Sequence, residues 1–269
     1  MATVKALVIG GGWWAAWWGG WWGGYQYNAS FTVTPQAYPV TVGTGWAWKA
    51  YWVAGTASNG TDSVFSTITG TGWWGGASLA LTGANGWCGG WGRWSSGVGG
   101  TGSQWWNGGT AGTGSWYYGC GGWWGTWWNG SNANSAVWGG NGWVGTFNSI
   151  SWTSIEYGGG GWGACDNPWV QWVGTWWWGT AVAIGTPNNW TNWLGWGGGG
   201  NNNATGGNGW NGVVIISYAT DGSDWVSPTS TGWTITTSGW QTIHTFTTSG
   251  TFTMVAYVAS TFTPKIIIC

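Results

Sequence analysis

Charge is what this chain has least of. Its 269 residues include 4 Lys or Arg, 5 Asp or Glu and one His, for a formal net charge of −1. Phosphate binding needs a basic footprint, so nucleic acid is not an expected partner. Stacking of single strands on aromatic side chains would lack its electrostatic half. Disorder through self-repulsion needs net charge as well, so the chain must either order its backbone or aggregate. Aliphatic residues are also scarce. Leu, Ile, Val and Phe make up roughly 15% of the chain, below the roughly 20% at which an ordinary aliphatic core becomes doubtful. A conventional core is therefore not expected.

Other absences narrow the field further. The four cysteines, Cys88, Cys120, Cys165 and Cys269, show no CxxC spacing, which argues against zinc and redox motifs. Bridged and free thiols both remain open. No segment combines helical periodicity with acidic first turns and basic last turns, so essentially no helix is expected. Residues 6–24 are uncharged but are broken by glycine clusters, with Trp in the middle and not at the ends. They read as neither a signal peptide nor a membrane span.

What the chain does have is glycine (58) and tryptophan (37). In GGGWWAAWWGGWWGG, Gly10 to Gly24, the largest side chain alternates with the absence of one. Five segments around this material read as strands. TVKALVI (3–9) is a short apolar run. SFTVTPQAYPVTVG (30–43) alternates about Pro35 and Pro39, as a hairpin or two short strands. DSVFSTIT (62–69) alternates again, and GVVIISY (212–218) is continuous in branched residues, as a fully buried strand would be. Residues 234–257 hold two or three strands punctuated by a repeated Thr-Ser-Gly turn. Residues 70–211 are instead short runs of Gly, Asn, Thr, Ser, Ala and Trp, with GGGG at 158–161 and 197–200 and repeated Asn-Gly steps. They suggest extended rods joined by turns.

The tryptophans do not behave as strand residues, although Trp favours strands. None lies in the first four strand segments, and in the fifth Trp240 falls at a turn, in Ser238-Gly239-Trp240. Most touch a Gly or another Trp. A genetic explanation fits: the codon UGA is read as glycine in some bacterial lineages and as tryptophan in others, and translation under the wrong code scatters Trp among glycines. With Gly at most of these positions, residues 70–211 become polyglycine suited to the polyproline-II conformation, which has no internal hydrogen bonds. Rods of this kind must satisfy their backbone groups on one another. Only Gly allows the required approach, so the core of such a domain would be backbone.

VKALVIGGG (4–12), YQYNASFTVTPQAYPVTVG (25–43), NGTDSVFSTITGTG (59–72) and NGVVIISY (211–218) together resemble the glycine-rich domains of phage tail-fibre proteins and related bacterial proteins. TGWTITTSGWQTIHTFTTSGTFTM (231–254) is similar to the β appendage that often accompanies them. The resemblance covers nearly the whole chain. It implies a mainly β fold in which a glycine-rich polyproline-II (polyglycine-II) rod bundle is flanked by strands: a glycine-rich domain over 1–219 and a β-hairpin appendage over 220–269. It also implies a sandwich of rods whose turns at one end contact a receptor on the host surface.

Enzymatic readings find little support. VKALVIGGG starts like a dinucleotide site but lacks the following helix and an acid about 20 positions on. His244, in TIHTFT, reads as a strand-surface histidine. Asp221 and Asp224 read as a linker turn, because a calcium loop would need further ligands. No catalytic, cofactor or metal site is expected. The islands least accounted for by rod packing are WYYG, SIEYG, ACDNP and TPNN, which make Tyr117, Tyr118, Glu156, Tyr157, Asp166, Asn188 and Asn189 the candidate ligand contacts. The expectation is a non-enzymatic adhesin on a virion tail or cell surface, binding a host or cell-surface receptor (protein or glycan) and a fibre or envelope partner. Alternatives are a purely structural glycine-rich fibre or envelope component, or a Trp-rich carbohydrate-binding module if the indoles are genuine.

Overall fold

A computed structural model of the chain describes residues 1–12, 23–45, 60–72, 146–157 and 211–259. These residues form eleven strands and no helix: β1 (Ala2–Ile9), β2 (Tyr25–Val33), β3 (Ala37–Thr41), β4 (Ser63–Phe65), β5 (Ile68–Gly70), β6 (Thr146–Asn148), β7 (Ile155–Tyr157), β8 (Val213–Ala219), β9 (Thr234–Ser238), β10 (Gln241–Phe246) and β11 (Gly250–Thr253). All pairings are antiparallel. They build an open five-stranded sheet in the order β2-β1-β8-β10-β9, an open four-stranded sheet in the order β11-β3-β4-β5, and the hairpin β6-β7. Among the described residues no helix is long and apolar enough to cross a membrane.

The period-two alternation of each strand determines which side chains meet. On one face of the five-stranded sheet, Val4, Ala6 and Val8 of β1 join Val214, Ile216 and Tyr218 of β8 against Tyr38, Val40, Phe65 and Phe252 of the second sheet. Phe252 is the hub of this layer. Its ring lies 5.0 Å from His244, 6.1 Å from Phe65 and 6.4 Å from both Tyr38 and Tyr218, in the tilted and edge-on arrangements that aromatic quadrupoles favour. Leu7, Ile9, Val213, Ile215 and Ile243 occupy the opposite face, and Ile150 and Tyr157 of the β6-β7 hairpin cover them. β8 is therefore covered on both faces, which is why its sequence does not alternate.

Three expectations change. First, a conventional core exists: the scarce Leu, Ile, Val and Phe are concentrated in the strands, so the average over the whole chain understates them locally. Second, of the two readings of residues 30–43, two strands hold and the hairpin does not, because β2 and β3 lie in different sheets. The break at residues 34–36 carries the chain from one sheet to the other, and Pro39 sits in β3 beyond the two residues, Val40 and Thr41, that pair with β4. Third, the expected boundary at 219/220 runs through the sheets. β10 pairs with β8 and β11 pairs with β3, so residues 220–257 are part of the same core as residues 2–70.

The two Thr-Ser-Gly repeats also differ in role. The first closes the β9-β10 hairpin, with Ser238 opposite Gln241 and Gly239 left-handed (φ 59°). Gly at the first central position of a two-residue turn leaves the second open to any residue, so Trp240 meets no demand for a small side chain there. The second repeat crosses between sheets, and Ser249 Oγ accepts a hydrogen bond from the Val42 N–H (3.0 Å). Removing the hub ring by Phe252→Ala should lower stability by about 3–5 kcal/mol in chemical denaturation. Truncating exposed Ile235 on edge strand β9 should change it by less than about 0.5 kcal/mol.

Candidate functional site

At one end of the sandwich glycine flanks six of the strands: Gly10–Gly12 after β1, Gly23–Gly24 before β2, Gly43 after β3, Gly60 before β4, Gly70 and Gly72 at the end of β5, and Gly212 before β8. Packed sheets normally stand about 10 Å apart because two layers of side chains separate them. Here nothing separates them, and segments from opposite sheets bond directly through their backbones. The Gly11 N–H donates to Thr61 O (3.0 Å), the Gly24 N–H to Thr71 O (2.7 Å) and the Gly212 N–H to Gly43 O (2.8 Å). Within each layer, Gly10 N–H donates to Gly24 O (3.1 Å) and Thr61 N–H to Thr44 O (3.2 Å). Except for β5, these residues lie outside the strands, yet their backbone groups are satisfied laterally.

The close approach leaves no room for side chains. A Cβ built on Gly10 would strike the Thr71 carbonyl, one on Gly23 the Gly10 carbonyl, one on Gly43 the Thr61 carbonyl and one on Gly72 the Gly60 carbonyl, all nearer than 3.0 Å. Short polar side chains complete the bonding. Ser63 Oγ accepts from Gly43 N–H (2.9 Å), Thr61 Oγ1 from Thr44 N–H (2.8 Å), Asn211 Oδ1 from Gly45 N–H (3.0 Å) and Asp62 Oδ1 from Gly72 N–H (2.7 Å). Sequence reasoning did not single out these four residues. The signal was available in NGTDS, where small hydrogen-bonding side chains follow glycine directly.

Of the residues expected to contact a ligand, Tyr117, Tyr118, Asp166, Asn188 and Asn189 lie outside the described residues. Glu156 and Tyr157 lie on β7, not on a turn. Tyr157 is corrected outright: its ring is buried against the outer face of the five-stranded sheet, where burial raises its pKa, so it offers no exposed platform. Glu156 is half-buried beside it, opposite Phe147 of β6. The same hairpin is tied to the sheet by Asn148 Nδ2 donating to Tyr25 Oη (2.7 Å).

His244 is corrected too, because it is fully buried between the sheets and not on a strand surface. Its Nδ1 donates to Gly232 O (2.9 Å), which leaves Nε2 to accept from Tyr218 Oη (2.9 Å). Burial lowers its pKa against the opposing pull of the Gly232 carbonyl, and burial pushes Tyr218 up to about 12. Both groups are thus held neutral. Asp221 and Asp224 serve the chain locally, with Asp221 Oδ1 accepting from Ser223 N–H and Asp224 Oδ2 from Ala219 N–H. Among the described residues no group of three or more His, Cys, Asp or Glu could hold a metal ion. Comparison of the chain with protein-family models, curated proteins and solved structures gives no match.

Two expectations follow from this geometry. Gly43→Ala should destabilise the protein by about 1–3 kcal/mol, because the methyl group has only backbone to displace. Gly250→Ala, whose Cβ would stand 3.5 Å from the Phe246 ring, should be neutral or mildly stabilising in the same denaturation assay. His244 sets a pH dependence. Its folded pKa lies below the ordinary 6.5, so the unfolded chain takes up a proton that the folded one resists. Stability is fully present above that ordinary value and falls as pH drops from it towards the folded pKa, by at most about 1.4 kcal/mol per pH unit. Denaturation midpoints measured from about pH 7 to about pH 5 should show this slope, and His244→Gln should flatten it.

Proposed function

We propose that the chain is a non-enzymatic display module, in which a β-sandwich base carries a bundle of glycine-rich polyproline-II rods whose turns bind a host or cell-surface receptor, protein or glycan. One observation carries this reading. The described flanks of residues 13–22 and 46–59, together with residues 72 and 211, all sit at the glycine end, so the chain leaves and rejoins the base there repeatedly. A base with its insertions gathered at one end suits presentation of loops to a large partner. The extended, laterally bonded glycine segments already present at that end have the hydrogen-bonding habit that polyglycine rods require. Such a module would act on a virion tail or cell surface, joined to a fibre or envelope partner, as the sequence resemblance to phage tail-fibre domains implies.

Binding of the purified protein to whole cells and to glycan arrays tests the proposal. Saturable binding is expected, and Tyr117→Ala with Tyr118→Ala should weaken it at least tenfold while leaving the unfolding transition in place, a loss of about 1.4 kcal/mol or more. No binding to any cell or glycan, with self-assembly into fibres instead, would favour a purely structural component.

A further inference from the structure

Four tryptophans fall among the described residues, and their backbone conformations are unusual. Trp152 (φ 73°), Trp225 (φ 60°) and Trp233 (φ 40°) are all left-handed; the only other described non-glycine residue with positive φ is Ser66. Only a few per cent of non-glycine residues adopt this region, and for a bulky side chain it is a genuine outlier. Two of the three occupy the same place in a turn. Trp152 N–H donates to Ser149 O (2.9 Å) and Trp225 N–H donates to Gly222 O (2.9 Å), which makes each the fourth residue of a β-turn, a position that favours glycine. Trp233 follows Gly232, itself at φ 149°, and leads directly into β9.

The indoles contact the rest of the chain only at its surface, Trp152 over Gly239 of the β9-β10 turn and Trp233 beside Gly250. Trp152, Trp225, Trp233 and Trp240 are 49%, 60%, 52% and 79% exposed, although Trp is on average among the more buried residues. None of these four tryptophans appears in either hydrophobic cluster, and none lies in any of the eleven strands. The backbone requests glycine and the core makes no use of the ring.

We infer that the natural polypeptide carries glycine, not tryptophan, at positions 152, 225 and 233, because the gene's UGA codons are read as glycine by the organism that expresses it. The inference is independent of receptor binding. It removes the exposed aromatic platforms on which a Trp-rich carbohydrate-binding surface would depend, and it extends to the Trp-Gly runs elsewhere in the chain. Trp240 stands apart, since its backbone does not demand glycine.

The gene's codons at 152, 225 and 233 give the first readout: UGA at all three is expected, whereas UGG, read as tryptophan everywhere, overturns the inference. Peptide mapping of the protein isolated from its own source gives the second. Glycine is expected at the three positions, with an intact mass several kilodaltons below 28.5 kDa. Tryptophan in the mapped peptides, or a mass agreeing with 28.5 kDa, overturns it. The structural basis has its own check in recombinant protein. The combined W152G, W225G and W233G variant should unfold at a higher temperature than the tryptophan form, and a lower midpoint would contradict the reading of the turns. None of these outcomes depends on whether a receptor is found.

Discussion

Direct contact of backbone with backbone, with no side chain between, is the constraint on which the rest of this molecule depends. An ordinary β-sandwich is held apart by its own core, and its two layers meet only through side chains. Here the side-chain core occupies the middle of the sandwich, around Phe252 and Val214, and stops at the glycines. Beyond Gly10, Gly43 and Gly212 the layers converge until carbonyl and amide groups of opposite sheets bond directly. Cohesion passes from buried apolar area to hydrogen bonds between extended segments. Any Cβ at the junction would force those segments apart.

This division explains a composition that is otherwise contradictory. Aliphatic residues are too few to fill a core for the whole chain, yet enough for the sandwich, because the short strands hold half of the Leu, Ile, Val and Phe. Glycine then does at the junction what no other residue can, since a laterally bonded backbone away from a sheet tolerates nothing between its segments. The polar residues at the junction, Thr61, Asp62, Ser63 and Asn211, bond the amides that the carbonyls do not reach. The buried Tyr218–His244 pair lies within the apolar layer and is satisfied without charge.

Much of the fold was legible because strand periodicity and glycine punctuation are local signals. TVKALVI and GVVIISY became β1 and β8 almost residue for residue, whereas DSVFSTIT, read as one alternating strand, folds as the β4-β5 hairpin about Ser66 and Thr67. What local signals do not carry is partnership. Nothing in SFTVTPQAYPVTVG says that its two halves belong to different sheets, and nothing in TIHTFT says that the face bearing His244 is covered by Phe252. Tyr157 was misplaced for the same reason, because SIEYG has the composition of a turn while the hairpin containing it closes over apolar β1 and β8. The tryptophan anomaly was visible as a pattern of neighbours. Its physical form, left-handed backbone at the fourth position of two turns, is visible only in three dimensions.

Hydrogen–deuterium exchange at single-amide resolution is the most direct test of backbone contact as the source of cohesion at the glycine end. The amides of Gly11, Gly24 and Gly212 lie outside every strand but donate across the layers, so they should exchange as slowly as the amides of β1 and β8. Exchange of these three at the rate of an unstructured chain, with β1 and β8 still protected, would show that side chains alone hold the sandwich and would contradict the account.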